Sequence, residues 1–98
     1  MEVNTDSPTA FEKHAFRLPD GKRLLAIWVP ERSRKARLDD YAGVTVDIAM
    51  ATDVPRQIVG IDMLNGREQV LRFDNKAGQI IVPDLIVKDY PLLLRLEY

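Results

Sequence analysis

The chain of 98 residues has no cysteine, which excludes a disulfide framework, thiolate catalysis and any zinc site built on Cys ligands. It has one histidine, His14, and a lone imidazole without Cys or a tight carboxylate cluster builds neither a usual transition-metal site nor a Ser-His-Asp relay. His14 therefore reads as a surface strand residue. No apolar run approaches the roughly 18 residues that cross a bilayer. The first ten residues lack the basic start and the apolar stretch of a signal peptide. Neither sign of charge is in excess, since 14 basic and 15 acidic residues leave a net charge of −1. Without a positive surplus there is no counterion release to drive binding, so nucleic acid and acidic membrane are not expected partners. A glycine-rich phosphate cradle and a nucleophile elbow are also missing, and no cofactor is implied. The compartment stays open.

What is present is an ordinary globular composition, 46% hydrophobic and 30% charged. A chain this long buries roughly 65% of its unfolded surface, enough for one core without metal or disulfides. One domain is expected over residues 11–98. Met1 to Ala10, polar and interrupted by Ser7-Pro8, reads as a flexible lead-in. A (β/α)8 barrel needs about 250 residues and cannot fit in the chain.

From Phe11 the turn residues fall at short intervals, at Pro19-Asp20-Gly21, Pro30, Gly43, Pro55, Asn65-Gly66, Gly78, Pro83-Asp84 and Pro91. That is the spacing of strands. Val44, Val46 and Ile48 alternate with Thr45, Asp47 and Ala49, as a half-buried strand requires. Ala15 to Leu18 and Lys22 to Val29 flank a Leu-Pro-Asp-Gly turn and read as a hairpin. A second hairpin spans Arg56 to Asp74. A three-residue loop, Leu64 to Gly66, would pair Met63 with Arg67 and gather Val59, Ile61, Met63, Leu71 and Phe73 on one face. A two-residue turn would instead place Val59 and Ile61 beside Glu68 and Val70, mixing core with charge, so the bulged register is expected. Gln79 to Val82 and Leu92 to Tyr98 supply further strands, and Glu31 to Tyr41 reads as a charged loop. The fold class expected is all-β, an antiparallel sandwich of about seven to eight short strands. A closed small barrel is the alternative.

Candidate sites are few. Asp39-Asp40 lack calcium-loop spacing, and the basic residues Arg32, Arg34, Lys35 and Arg37 are offset by neighbouring acids. Trp28, set among apolar residues, reads as core; a platform of Trp28 with Tyr41 stacking on sugar faces is the alternative. No catalytic constellation and no metal site emerges. Leu24 to Val29 and Leu92 to Leu94 are, however, apolar on both alternating faces, and a two-layer sandwich needs only one. If these strands are neighbours, Leu25, Ile27 and Leu93 would form an outward docking patch; cover by the 31–41 loop or the N-terminal segment is the alternative.

The run Leu25-Ala26-Ile27-Trp28, then Val44-Thr45-Val46, the segment Ile58 to Val70 and the closing Asp89-Tyr90-Pro91-Leu92-Leu93-Leu94-Arg95-Leu96 follow one another in a recognisable order. Together they resemble the C-terminal β-sandwich domain that follows the (β/α)8 barrel of many glycoside hydrolases. The resemblance implies a non-catalytic accessory domain that packs against a catalytic barrel, in cis or in trans, with the catalytic acid and nucleophile on the barrel. A carbohydrate-binding module and a stand-alone sandwich that self-associates through its apolar patch are the competing expectations.

Overall fold

The computed structural model describes residues 2–6, 11–30, 43–64 and 66–98. The described residues form nine strands and no helix: β1 (Glu2–Thr5), β2 (Glu12–Arg17), β3 (Arg23–Trp28), β4 (Val44–Ala51), β5 (Gln57–Asp62), β6 (Arg67–Leu71), β7 (Asp74–Lys76), β8 (Gln79–Val87) and β9 (Leu92–Glu97). All pairings are antiparallel. They make a four-stranded sheet, β1-β4-β8-β7, and a five-stranded sheet, β2-β3-β9-β5-β6. One core lies between the sheets. Leu25, Ile27, Ile58, Leu94 and Leu96 meet Val46, Ile48, Met50, Ile80, Val82 and Val87 there. The fold is thus the all-β sandwich expected, with nine strands in place of seven or eight. Its radius of gyration, 13.3 Å, matches the about 13 Å of a single domain of this size.

Local chemistry explains where the strands turn. Between β2 and β3 the Gly21 amide donates to the Leu18 carbonyl at 3.0 Å, and the Leu18 amide to the Lys22 carbonyl at 2.8 Å. Gly21 sits at φ 88°, the positive φ that closes a three-residue loop with a bulge. Asp20 Oδ1 accepts from the Lys22 amide at 3.1 Å. That contact holds the Asp20 carboxyl below its usual pKa, with the Lys22 side chain adding to it.

The β5–β6 hairpin forms, but one residue out from the expected register. Asp62 pairs with Arg67 and Val59 with Val70, across a four-residue loop closed by the Gly66 amide on the Asp62 carbonyl. Asp62 Oδ1 also accepts from the Leu64 amide at 2.8 Å, an Asx turn that fixes the longer loop. Val59 and Ile61 therefore share a face with Glu68 and Val70, the grouping rejected as a mixture of core and charge. The reason is that this face is not the core: Ile58 and Gly60 point inward, and Val59 and Ile61 point away.

Two further expectations change. Glu2–Thr5, read as part of a flexible lead-in, is a strand that pairs with β4, Val3 opposite Met50 and Thr5 opposite Ile48. Pro83-Asp84 does not end a strand. β8 runs through it as a bulge, with the register on β4 shifting between Val46 and Ile48. Asp84 is held at φ 58°, its amide donating to Asp47 Oδ1 at 3.0 Å; a bulge is where a sheet tolerates a proline, which has no ladder amide. The expected charged loop over 31–41 lies outside the described residues.

Candidate functional site

The two faces of the five-stranded sheet follow from register. Leu25 pairs with Leu94, and Ala26 with Leu93. Since neighbours across a sheet share a face, Leu25 and Ile27 belong with Leu94 on the core side, and Leu93 belongs with Ala26 on the other. The expected docking patch of Leu25, Ile27 and Leu93 is corrected accordingly. β3 and β9 are neighbours, but Leu25 and Ile27 are fully buried in the core. Only Leu93 lies on the outer face.

Other side chains complete that outer face. One row across the five strands reads His14, Ala26, Leu93, Ile61, Glu68; the next reads Phe16, Leu24, Arg95, Val59, Val70. The centre is crowded, with Ala26 7% and Val59 4% exposed beneath their neighbours, while the rims are open, Phe16 at 53% and Val70 at 64%. The face thus carries apolar side chains on all five strands, interrupted by Arg95 at the centre, with two large ones exposed at its edges.

A charged network is set into this surface. Arg95 Nε donates to Glu97 Oε2 at 2.8 Å and Arg95 Nη2 to Glu68 Oε1 at 3.3 Å. Gln57 Nε2 donates to Glu97 Oε1 at 3.0 Å, and Arg56 Nη2 reaches the same oxygen at 3.5 Å. The Arg95 hydrogen bond, then that of Gln57, holds the Glu97 carboxyl below the ordinary range, against the opposing effect of burial. Glu97 in turn raises the guanidinium pKa of Arg95. Both charges are held in place by these bonds.

Trp28, expected in the core, is half-buried on the outer face. Its ring stacks on exposed His14 from β2, with centroids 5.3 Å apart and planes 20° from parallel. One face of the indole is thereby occupied, which limits what a sugar ring could stack on. Tyr41, the other expected platform residue, lies outside the described residues.

A cleft of about 620 Å³ opens between the sheets on the β6 side, lined by Gly60, Leu71, Val82 and Leu92 and by the charged residues Asp62, Arg67, Arg72, Asp84 and Lys88. Three basic and two acidic side chains among the described residues thus share its lining. Among the described residues, no group of three or more His, Cys, Asp or Glu side chains could hold a metal ion, and no side-chain polar atom is buried without a partner.

The sequence reading missed Phe16, Leu24, Ile61 and Val70 and the ion network. A signal for the network was present. Along β9, Leu92, Leu94 and Leu96 alternate with Leu93, Arg95 and Glu97, and the two charges mark the outward side. β3 offers no such mark, because both of its alternating sets are apolar. No protein-family model matches the chain, and no curated protein matches it.

Proposed function

We propose that the chain is a non-catalytic packing module whose five-stranded sheet docks its outer face against another folded unit. The observation that carries this reading is the outer face itself: half-buried Leu24, Leu93 and Ile61 lie over buried Ala26 and Val59 around a central Arg95, with Phe16 and Val70 exposed at the rims. Burying such a face releases about 25 cal/mol for each Å² of apolar surface removed from water. The Arg95–Glu97–Glu68 network set into it supplies orientation through fixed charges. The resemblance to glycoside hydrolase accessory domains names the unit as a (β/α)8 catalytic barrel, in the same polypeptide or a separate one. In this arrangement the barrel does the chemistry, and the sandwich covers apolar surface and stiffens the assembly.

Two measurements test the reading together. The purified chain is assayed against a panel of aryl glycosides, and no turnover is expected; turnover that survives rigorous contaminant controls overturns the non-catalytic assignment. Tagged chain is then recovered from its own cells and its companions are identified by mass spectrometry. A (β/α)8 glycosidase that copurifies with the natural chain and is lost from Leu93→Asp supports the docking. The same companions with both proteins, or none that is a barrel, contradict it.

A further inference from the structure

The base of the first hairpin carries an arrangement that packing does not require. Arg17 and Arg23 stand directly opposite each other across β2 and β3. Like charges at facing positions of an antiparallel pair repel and destabilise it. Neither guanidinium makes an ion pair within 4.0 Å of any described carboxylate. Both lie on the side of the sheet that faces the four-stranded layer, since Arg23 is opposite Leu96. There they line a shallow depression of about 490 Å³ with Gly21, Asp53, Val54 and Tyr98.

Neighbouring groups give the depression a shape. The Arg23 guanidinium lies 6.0 Å from the centre of the Tyr98 ring, at the outer limit of a cation–π contact. The Tyr98 hydroxyl is 2.6 Å from Thr52 Oγ1, which fixes the ring from the four-stranded side. The space around Gly21 is open, with no atom within 4 Å of where a Cβ would stand. Among the described residues, Asp53 is the one acidic side chain in the lining, against the two arginines.

We infer that Arg17 and Arg23 form a binding site for a tetrahedral oxyanion, a phosphate or sulfate group, held between the two guanidiniums at the mouth of the sandwich beside Tyr98. Planar guanidiniums present paired N–H donors that match two oxygens of such an anion at once. An anion between them turns the repulsion of the facing pair into two attractions. The opening is wide enough for the group to arrive free or as an ester on a sugar-sized molecule. This site is separate from the outer face of the sheet and does not depend on it.

The test is a titration of the full chain, followed by amide chemical shifts and by melting temperature. It uses inorganic phosphate, inorganic sulfate and a hexose phosphate, each against chloride at equal ionic strength. Saturable shifts at Arg17, Gly21, Arg23 and Tyr98 are expected, with a rise in melting temperature that chloride does not reproduce. Arg17→Gln and Arg23→Gln should each weaken binding at least about tenfold, the loss of charge-assisted hydrogen bonds. Lys76→Gln, an exposed cation on β7, should leave binding unchanged. Without phosphate and at low salt, Arg17→Gln should melt above the natural chain, because it removes the repulsion. Tighter binding of the hexose phosphate than of inorganic phosphate assigns the source as an ester, and equal binding assigns the free anion. Shifts that do not saturate, that chloride reproduces, or that survive both arginine substitutions mean an adventitious ion only and overturn the site.

Discussion

Leu71 occupies the space that a side chain at Gly60 would need: a Cβ on Gly60 would stand 3.0 Å from Leu71 Cδ1 and 3.4 Å from its Cγ. Gly60 lies mid-strand in β5, inward-facing, opposite Gln69 on one side and Leu94 on the other. Leu71, at the end of β6, closes over it. Gly60→Ala gains strand propensity but overpacks this contact, and is expected to lower stability by about 1–2 kcal/mol. In a urea series, the double variant Gly60→Ala, Leu71→Val should recover most of the loss. A double variant no better than the sum of its parts would show that the two positions are not in contact.

The assignment of faces gives a sharper contrast within two adjacent strands. Leu25→Ala and Leu94→Ala open cavities in the core and should each cost about 2–5 kcal/mol. Leu93→Ala, next to Leu94 in sequence but on the half-open outer face, should cost about 1 kcal/mol or less. Chemical denaturation reads all three. Equal costs for Leu93 and Leu94 would mean that the register of β3 on β9 is wrong.

Acid sensitivity should be traceable to Glu97. Its carboxyl is held below the usual value of 4.5 by Arg95 and Gln57. A carboxyl with a depressed folded-state pKa stabilises the protein above the unfolded-state pKa, and the contribution is lost as pH falls through the folded value. Urea midpoints should therefore drop as pH falls below about 4.5, and Glu97→Gln should flatten that drop relative to neutral pH. An unchanged slope in Glu97→Gln would remove Glu97 from the acid limb.

One position offers stabilisation. Ala77, in the two-residue turn between β7 and β8, holds φ 51° without being glycine, and Lys76 pairs directly with Gln79 across it. Asn followed by Gly is the preferred sequence of such a turn, because Asn tolerates the left-handed region. Ala77→Asn is expected to raise stability by roughly 0.5–1 kcal/mol, seen as a higher melting temperature.

His14 shields one face of the Trp28 indole, so His14→Ala should shift the tryptophan emission to longer wavelength and increase its quenching by iodide. Sugars should leave the emission of the natural chain unmoved. A saturable response to a sugar would favour the carbohydrate-binding alternative.

How much of this was legible beforehand depended on whether alternation was one-sided. β4 alternates cleanly, and its buried residues, Val46 and Ile48, could be read directly. Turn chemistry located both hairpins through Pro19-Asp20-Gly21 and Asn65-Gly66. What failed was register. A four-residue loop, closed by the Asp62 carbonyl and braced by its side chain, shifts β6 by one residue, and with a period of two that reverses which face each residue occupies. The same ambiguity misplaced Leu25 and Ile27, because β3 is apolar on both sides and only its pairing with β9 tells inward from outward. Glu2–Thr5 looked like a tail because its partner, β4, lies some forty residues away in sequence.

The docking claim is tested most directly by a photo-crosslinking amino acid placed at Val70 or at Phe16 on the outer face of the five-stranded sheet, with Thr45 on the opposite sheet as control, in the cells that make the protein. Adducts to a (β/α)8 glycosidase barrel from positions 70 and 16, and not from 45, are the expected result. Adducts that form equally from all three positions, or outer-face positions that capture no barrel, would contradict it.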